Sequence, residues 1–397
     1  MNELLFFEDL LGIEGLEIDR VIYESRNIFL HCHTEASEQV CPSCGTESEG
    51  SIRKYQVRQI RDLDISGKEV WLHLQVRQLE CSCGRFFQES FNWVDSGKSY
   101  THRQAKFIFE CSAKQPFTEA GALMNIQAKQ VERMYYSYAK KVLDISSRYA
   151  QVRKLGIDEL SLRKGKGDYC CVLSDLERGI EIDILPNRKK ATLIAHFEQL
   201  GTDFCAQIQE VACDMWGPYT DVARECFPQA RITIDRFHVV KALNEALDGI
   251  RRALRKEFPK QEAFKSLKWS LFKRPDKCSD KDKETLKKAF ELAPELEKSY
   301  LLRNRFHAIF DQPQTKTQAT QCLEKWVQEV ERLGEKKWDK FLKTLNNWKE
   351  YILNFVESRI SNAVTEGLNN LIRYIKRISF AIPNFEHMRI RVLCNSG

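Results

Sequence analysis

The sequence predicts a multidomain α+β protein: a β-rich N-terminal domain stapled by a metal, a helix-turn-helix, and an α/β core interrupted by an all-helical insertion. Three observations predict it. Two close cysteine pairs lie among alternating segments before residue 97. The hydrophobic period turns helical over Lys98 to Leu143. From Val152 onward, strand and helix patterns alternate, and two apolar strands end in an acid. At 397 residues the chain is too long for one typical domain. The boundaries expected are 1–97 for the zinc-binding domain, 98–150 for the helix-turn-helix, 151–256 for the first part of the core, 257–350 for the insertion and 351–397 for the core's C-terminal helix. A 43% hydrophobic composition supplies ordinary cores and argues against global disorder. The formal charge of +6 permits a polyanionic partner without requiring one. No apolar run approaches a membrane span, and the start Met1 to Asp9 lacks the basic opening of a signal peptide. Fourteen cysteines then point to reduced thiols and a metal rather than a disulfide scaffold.

Residues from about 15 to 95 read as short strands, beginning with a hairpin of Glu17 to Ser25 and Asn27 to Cys32. Cys41-Pro42-Ser43-Cys44-Gly45 is a knuckle, and Cys81-Ser82-Cys83-Gly84 is a second, tighter one. Four thiolates in two close pairs suit a structural Zn²⁺. Because only one residue separates Cys81 from Cys83, Cys32, His31 or His33 stands as an alternative ligand. Within Pro116 to Tyr138 one helix ends near Met124, Asn125 sits at a turn, and a second helix starts at Ala128. That is helix-turn-helix spacing, with Lys129, Gln130 and Arg133 facing DNA. A plain helical hairpin gives the same pattern.

Lys154 to Glu159 reads as a short apolar strand that ends in Asp158 and Glu159, and Ile208 to Asp214 as a second one ending in an acid. Asp168 to Ser174 and Gly179 to Leu185 form a hairpin, Lys189 to Leu200 and Gly217 to Cys226 are helices, and Ala230 to Ile234 is a strand that reaches Asp235. Three antiparallel strands followed by helix, strand, helix, strand is the order of a ribonuclease-H-like fold. In that fold Asp158 and Asp214 fall on adjacent strands. Asp235 and His238 open a long helix carrying Arg251, Arg252, Arg255 and Lys256. Residues 259 to about 350 are helical and charged. The stretch Arg359 to Arg377 then has Val364, Leu368, Leu371, Ile372 and Ile375 on one side, with Asn362, Glu366, Asn369, Asn370, Arg373 and Arg377 on the other. Glu366 is its one carboxylate, set among amides and cations, as befits a metal ligand beside a polyanion.

Assembled, these residues resemble a DDE transposase of bacterial insertion sequences, in the zinc-knuckle group called the IS-L-three family. The strings that carry the resemblance are the two knuckles, Gly156 to Glu159, Cys213 to Tyr219, Ile234 to Lys241 and Ser361 to Asn369. The resemblance implies an acid triad of Asp158, Asp214 and Glu366 that holds Mg²⁺ or Mn²⁺, with Asp235 and His238 as auxiliary residues. It implies strand cleavage and transfer at the ends of an insertion sequence, with terminal inverted repeats and target DNA as partners. A homodimer or higher oligomer on DNA, in the bacterial cytoplasm at the nucleoid, is expected. Arg251, Arg252, Arg255, Arg373, Lys376 and Arg377 are expected to grip phosphates. The competing readings are a nuclease that does not join ends, and a DNA-binding regulator or inactive transposase.

Overall fold

In the computed structural model, residues 3–35, 38–48, 51–163, 167–259, 264, 267–360, 363–379 and 384–396 are described. They form two compact units, Met1–Leu143 with Tyr374–Asn395, and Asp144–Arg373 with Ser396–Gly397. Among the described residues no helix is long and apolar enough to cross a membrane.

The first unit contains α1 (Glu3–Leu11), β1 (Leu16–Tyr23), β2 (Asn27–Thr34), β3 (Gln39–Val40), β4 (Glu47–Ser48), β5 (Ser51–Arg61), β6 (Glu69–Glu80), β7 (Phe86–Gln88), α2 (His102–Ala113), α3 (Phe117–Leu123) and α4 (Ala128–Val142). The sheet runs β1-β2-β6-β5, with β7 paired to β6. β5 and β6 are 11 and 12 residues long, not the short strands expected, because they pair from Ser51↔Glu80 to Arg61↔Trp71. Alternation along β6 buries Val70, Leu72, Leu74 and Val76 against Phe7, Leu11, Leu30 and Ile60. The helices are bolted to this sheet. Buried Asp62 accepts a 2.6 Å bond from Thr101 Oγ1 and pairs with Arg103. Regions 1–97 and 98–150, expected as separate domains, therefore pack together as far as Leu143. α3 ends beside Met124 and α4 starts at Ala128 as expected, although α4 runs on to Val142 past the expected end at Tyr138; Asn125 takes φ +51° at their turn. Gly121 is needed there, since a Cβ would lie 2.3 Å from the Ile126 carbonyl oxygen.

The second unit contains α5 (Ile145–Tyr149), β8 (Lys154–Arg163), β9 (Asp168–Asp175), β10 (Ile180–Leu185), α6 (Lys190–Leu200), α7 (Thr202–Gln207), β11 (Glu210–Cys213), α8 (Gly217–Cys226), β12 (Arg231–Ile234) and α9 (Arg236–Glu257). The helices α10 (Leu267–Phe272), α11 (Asp280–Leu292), α12 (Pro294–Asp311), α13 (Lys316–Leu333) and α14 (Asp339–Ser358) follow, then α15 (Ala363–Ile378), of which the residues up to Arg373 fall in this unit and those from Tyr374 in the first. The sheet order is β10-β9-β8-β11-β12. β8, β9 and β10 are antiparallel, whereas β11 runs parallel to both β8 and β12. Parallel pairs need crossovers, and α6 to α8 provide them. The helical insertion shares one apolar core with the sheet, in which Ile157, Val211 and Ile234 join Leu247, Leu267, Trp326, Trp338 and Ile352. Asn354 of α14 donates to the Ile232 carbonyl of β12 at 2.7 Å.

The last helix, α16 (Phe385–Leu393), belongs to the first unit, whereas the sequence reading gave 351–397 to the core. Its fully buried Arg391 explains the difference. The guanidinium donates to the carbonyls of Ser112 and Gln115 at 2.9 and 2.7 Å and lies 4.3 Å over the Phe117 ring.

Candidate active site and metal centre

Strand register builds the acid cluster. Cys213 of β11 pairs with Ile157 of β8, so the next residues, Asp214 and Asp158, come side by side. Asp158 is mid-strand rather than at a strand end, because β8 continues along β9 to Arg163 after β11 has stopped. Asp235 follows β12 in the same way, and its N–H donates to the Cys213 carbonyl at 2.9 Å. One turn into α9, His238 Nε2 lies 3.1 Å from Asp214 Oδ2. Asp214, Asp235 and His238 each offer a ligand atom within 4.8 Å of the others. Asp158 and Asp214 are within hydrogen-bonding reach of each other.

Crowded carboxylates resist ionisation. Burial, with Asp158, Asp235 and Glu159 nearby, pushes the Asp214 carboxyl up to about 8. Burial also raises Asp158, against the opposing pull of the Glu159 N–H and the Asn369 amide. Hard oxygen donors that repel one another fit a divalent cation, which supplies the missing positive charge. The folded state holds a proton on Asp214 that the unfolded chain, with its ordinary carboxyl near 3.8, has already released. Stability contributed by that proton is complete below about pH 4 and is lost as pH rises toward 8. Thermal melts at several pH values should show this loss in wild type and not in Asp214→Asn, and added Mg²⁺ at pH 8 should restore the wild type.

Helix α15 presents a face that the sequence reading divided differently. Asn369, grouped there with Glu366 on the polar side, is buried like Thr365, and both bond to the sheet. Asn369 Nδ2 donates to Asp158 Oδ2 at 2.6 Å. Glu366 is exposed, one turn before Asn369. It is not in the group formed by Asp214, Asp235 and His238. Asn362 and the side chain of Val364 lie outside the described residues. Sequence reasoning also missed Arg188, whose guanidinium pairs with Glu159 and lies 4.2 Å over Tyr169 and 4.6 Å over Trp216.

The cysteine pairs meet in the first unit. Cys41, Cys44, Cys81 and Cys83 place their sulfurs within 4.8 Å of one another. Cys41 and Cys83 are 3.8 Å apart, and Cys44 and Cys81 are 3.5 Å apart. Zn–S bonds of about 2.3 Å in a tetrahedron put sulfurs about 3.8 Å apart, so the set fits zinc. Hydrogen bonding to Thr46 lowers the Cys44 thiol to about 6, toward the thiolate that binds metal. The alternatives are placed elsewhere. Burial pushes Cys32 up to about 12, His33 pairs with Glu17 and Asp19, and His31 packs edge-on to His73.

The residues expected to hold DNA are partly available. Lys129, Gln130 and Arg133 are exposed on α4, opposite its buried Val131, Met134 and Tyr135. Arg252, Arg255, Lys256, Arg373 and Arg377 are exposed, and Lys376 is half-buried. Arg251 is a correction, because it is buried at 6% exposure. It is held by Asp248 at 2.7 Å and by the Phe264 carbonyl at 3.3 Å. Asp248 keeps a second partner in Arg252, so Arg251→Ala should cost about 1–3 kcal/mol in chemical denaturation, from the bond lost to the Phe264 carbonyl and the emptied buried position. Arg252→Ala should leave stability unchanged and weaken DNA binding regardless of sequence, with a shallower salt dependence.

A family model described as "Transposase", that of the ISL3 group of DDE enzymes, matches residues 155–392. The chain belongs to the ISL3 family of DDE transposases. A second model, described as the zinc-finger of transposase IS204/IS1001/IS1096/IS1165, matches residues 37–83, the span of both cysteine pairs. Among relatives of this ISL3 transposase, the transposase for insertion sequence element IS1001 of Bordetella parapertussis is 27% identical over 411 residues, covering 99% of this chain and 98% of its own length. The transposase for insertion sequence element IS1557 of Mycobacterium tuberculosis is 24% identical over 369 residues, covering 86% and 82%. Among solved structures, the Drosophila P element transposase strand transfer complex aligns at 12% identity with a TM-score of 0.39, over 73% of this chain and 90% of that one.

Proposed function

We propose that this transposase binds the ends of its insertion sequence and carries out metal-dependent strand cleavage and 3′-end transfer on a ribonuclease-H-like core. The observation that carries the reading is the placement of Asp158 beside Asp214 with the Glu366 helix bonded to Asp158. Asp158, Asp214 and Glu366 hold the catalytic Mg²⁺ or Mn²⁺, whose charge, when bound, stabilises the attacking and leaving oxygens at phosphorus. Asp235 and His238 lie beside Asp214 and support it. Exposed Glu366, in the first turn of α15, would supply the third carboxylate to the metal. Arg373 and Arg377 follow it on that helix and hold neighbouring phosphates. The α3–α4 hairpin reads terminal sequence as a helix-turn-helix, through Lys129, Gln130 and Arg133. A homodimer or larger assembly brings two ends together.

The test is incubation with Mg²⁺, a target plasmid and a fragment carrying the element's own ends. Cleavage at the ends followed by joining of the 3′-end supports the proposal. Cleavage without joining would make the protein a nuclease, and binding without cleavage a regulator. Arg133→Ala in the same assay should lose its preference for terminal over random DNA.

A further inference from the structure

Helix α15 meets the sheet through two polar bonds one helical turn apart. Thr365 Oγ1 and Ser174 Oγ are 2.8 Å apart, and Asn369 Nδ2 donates to Asp158 Oδ2 at 2.6 Å. Thr365 and Asn369 are 0% and 3% exposed. Residues four apart share one helix face, so the Thr365 contact carries Asn369 to Asp158. Gly156 permits the approach, since a Cβ there would lie 2.3 Å from Ser174 Oγ and 3.0 Å from Thr365 Oγ1.

The chemistry of the second bond is specific. A carboxylate only accepts, so the amide must turn its NH₂ group toward Asp158. The other carboxylate oxygen, Oδ1, accepts from the Glu159 N–H at 2.7 Å. Besides the neighbouring Asp214 carboxyl, each oxygen of Asp158 is held by one fixed donor and keeps lone-pair capacity for an ion. Both donors come from rigid elements, one from the strand backbone and one from a helix that is 211 residues away in sequence. A space-filling residue at 369 would need none of this. Leu would occupy a similar volume in a helix already lined by Ile372 and Ile375.

We propose that Asn369 is a positioning residue for the catalytic metal centre, locking the Asp158 carboxylate in its ligating orientation. The inference rests on Asp158 being a metal ligand. Partners that orient ligating carboxylates typically change metal affinity by about 10–100-fold when removed.

The experiment is Mn²⁺ binding to the full chain without DNA, read by electron paramagnetic resonance of free Mn²⁺, for wild type, Asp158→Asn, Asn369→Leu and Asn369→Ala. Each variant is also melted in the presence of a chelator. The expected result is a strong loss of affinity in Asp158→Asn. Both Asn369 variants should lose about 10–100-fold while their metal-free melting stays close to wild type. A folded Asn369 variant that binds Mn²⁺ as wild type does would overturn the inference and leave Asp158 a ligand. Unchanged Mn²⁺ binding in Asp158→Asn would remove the metal reading itself. If Asn369→Leu does not fold, Asn369→Ala decides. If neither folds, Asn369 builds the core and the inference falls.

Discussion

Replacing Asp158 or Asp214 with Asn, or Glu366 with Gln, is expected to lower strand cleavage by about 10³-fold or more while leaving DNA binding intact. Each change keeps the shape of the side chain and removes one negative charge. Loss of that charge weakens the hold on the ion that stabilises developing charge at phosphorus. Binding survives because carboxylates repel phosphates, so neutralising one removes no attraction. Neutralising Asp214 also relieves crowding with Asp158, Asp235 and Glu159, so that variant should be no less stable than wild type above neutral pH. Glu366→Gln is the most informative of the three. Its side chain is exposed in the first turn of α15, so the fold has little reason to respond. The measurement is a gel assay of nicking at an element end with each variant, beside a filter-binding titration. Wild-type cleavage in Glu366→Gln would make Asp235 or His238, already grouped with Asp214, the source of the remaining ligand.

How far the site was legible depends on the range of the interaction that builds each part. Local pattern was enough for α3, the Asn125 turn and the start of α4, because helical period and the left-handed turn residue are set within a few residues. The succession of strands and helices from β8 to β12 was legible for the same reason, but the adjacency of β8 and β11, which brings Asp158 beside Asp214, was expected only from the fold type that this succession suggests. Long-range choices were not. Amphipathic counting puts Asn369 with Glu366, because polarity is read as exposure. Here the buried stripe of α15 includes Thr365 and Asn369, since the surface beneath them offers a hydroxyl and a carboxylate rather than hydrocarbon. The positions of these two, four apart, were a signal that could have been used. Arg251 misled for the converse reason. A basic run on a helix reads as one surface, yet Arg251 is turned inward to Asp248 and the Phe264 carbonyl, a contact outside the helix that the run does not report. No local pattern reports that Arg391 will be buried among Ser112, Gln115 and Phe117.

One zinc per chain is expected, and its removal should unfold the cysteine-bearing ribbon while sparing the sheet beside it. The ribbon has little else to hold it. β3 and β4 are two residues each, and isolated hairpins are marginal even when longer. Structural zinc contributes about 10–16 kcal/mol of apparent binding free energy, comparable to the whole stability of a domain at about 5–15 kcal/mol. The sheet has its own support in the apolar cluster of Phe7, Leu30, Ile60, Leu72 and Leu74, which includes none of Cys41, Cys44, Cys81 and Cys83. Metal loss should therefore be local within the first unit and should leave the acid site of the second unit folded. Elemental analysis of freshly purified protein tests the stoichiometry. Hydrogen exchange with and without a chelator tests the extent. Protection should vanish over Gln39 to Ser48 and persist along Val70 to Val76. Cys41→Ser should reproduce the chelated pattern at any zinc concentration that wild type tolerates. Zinc-free protein with the same protection over Gln39 to Ser48 would show that the four sulfurs come together by packing alone.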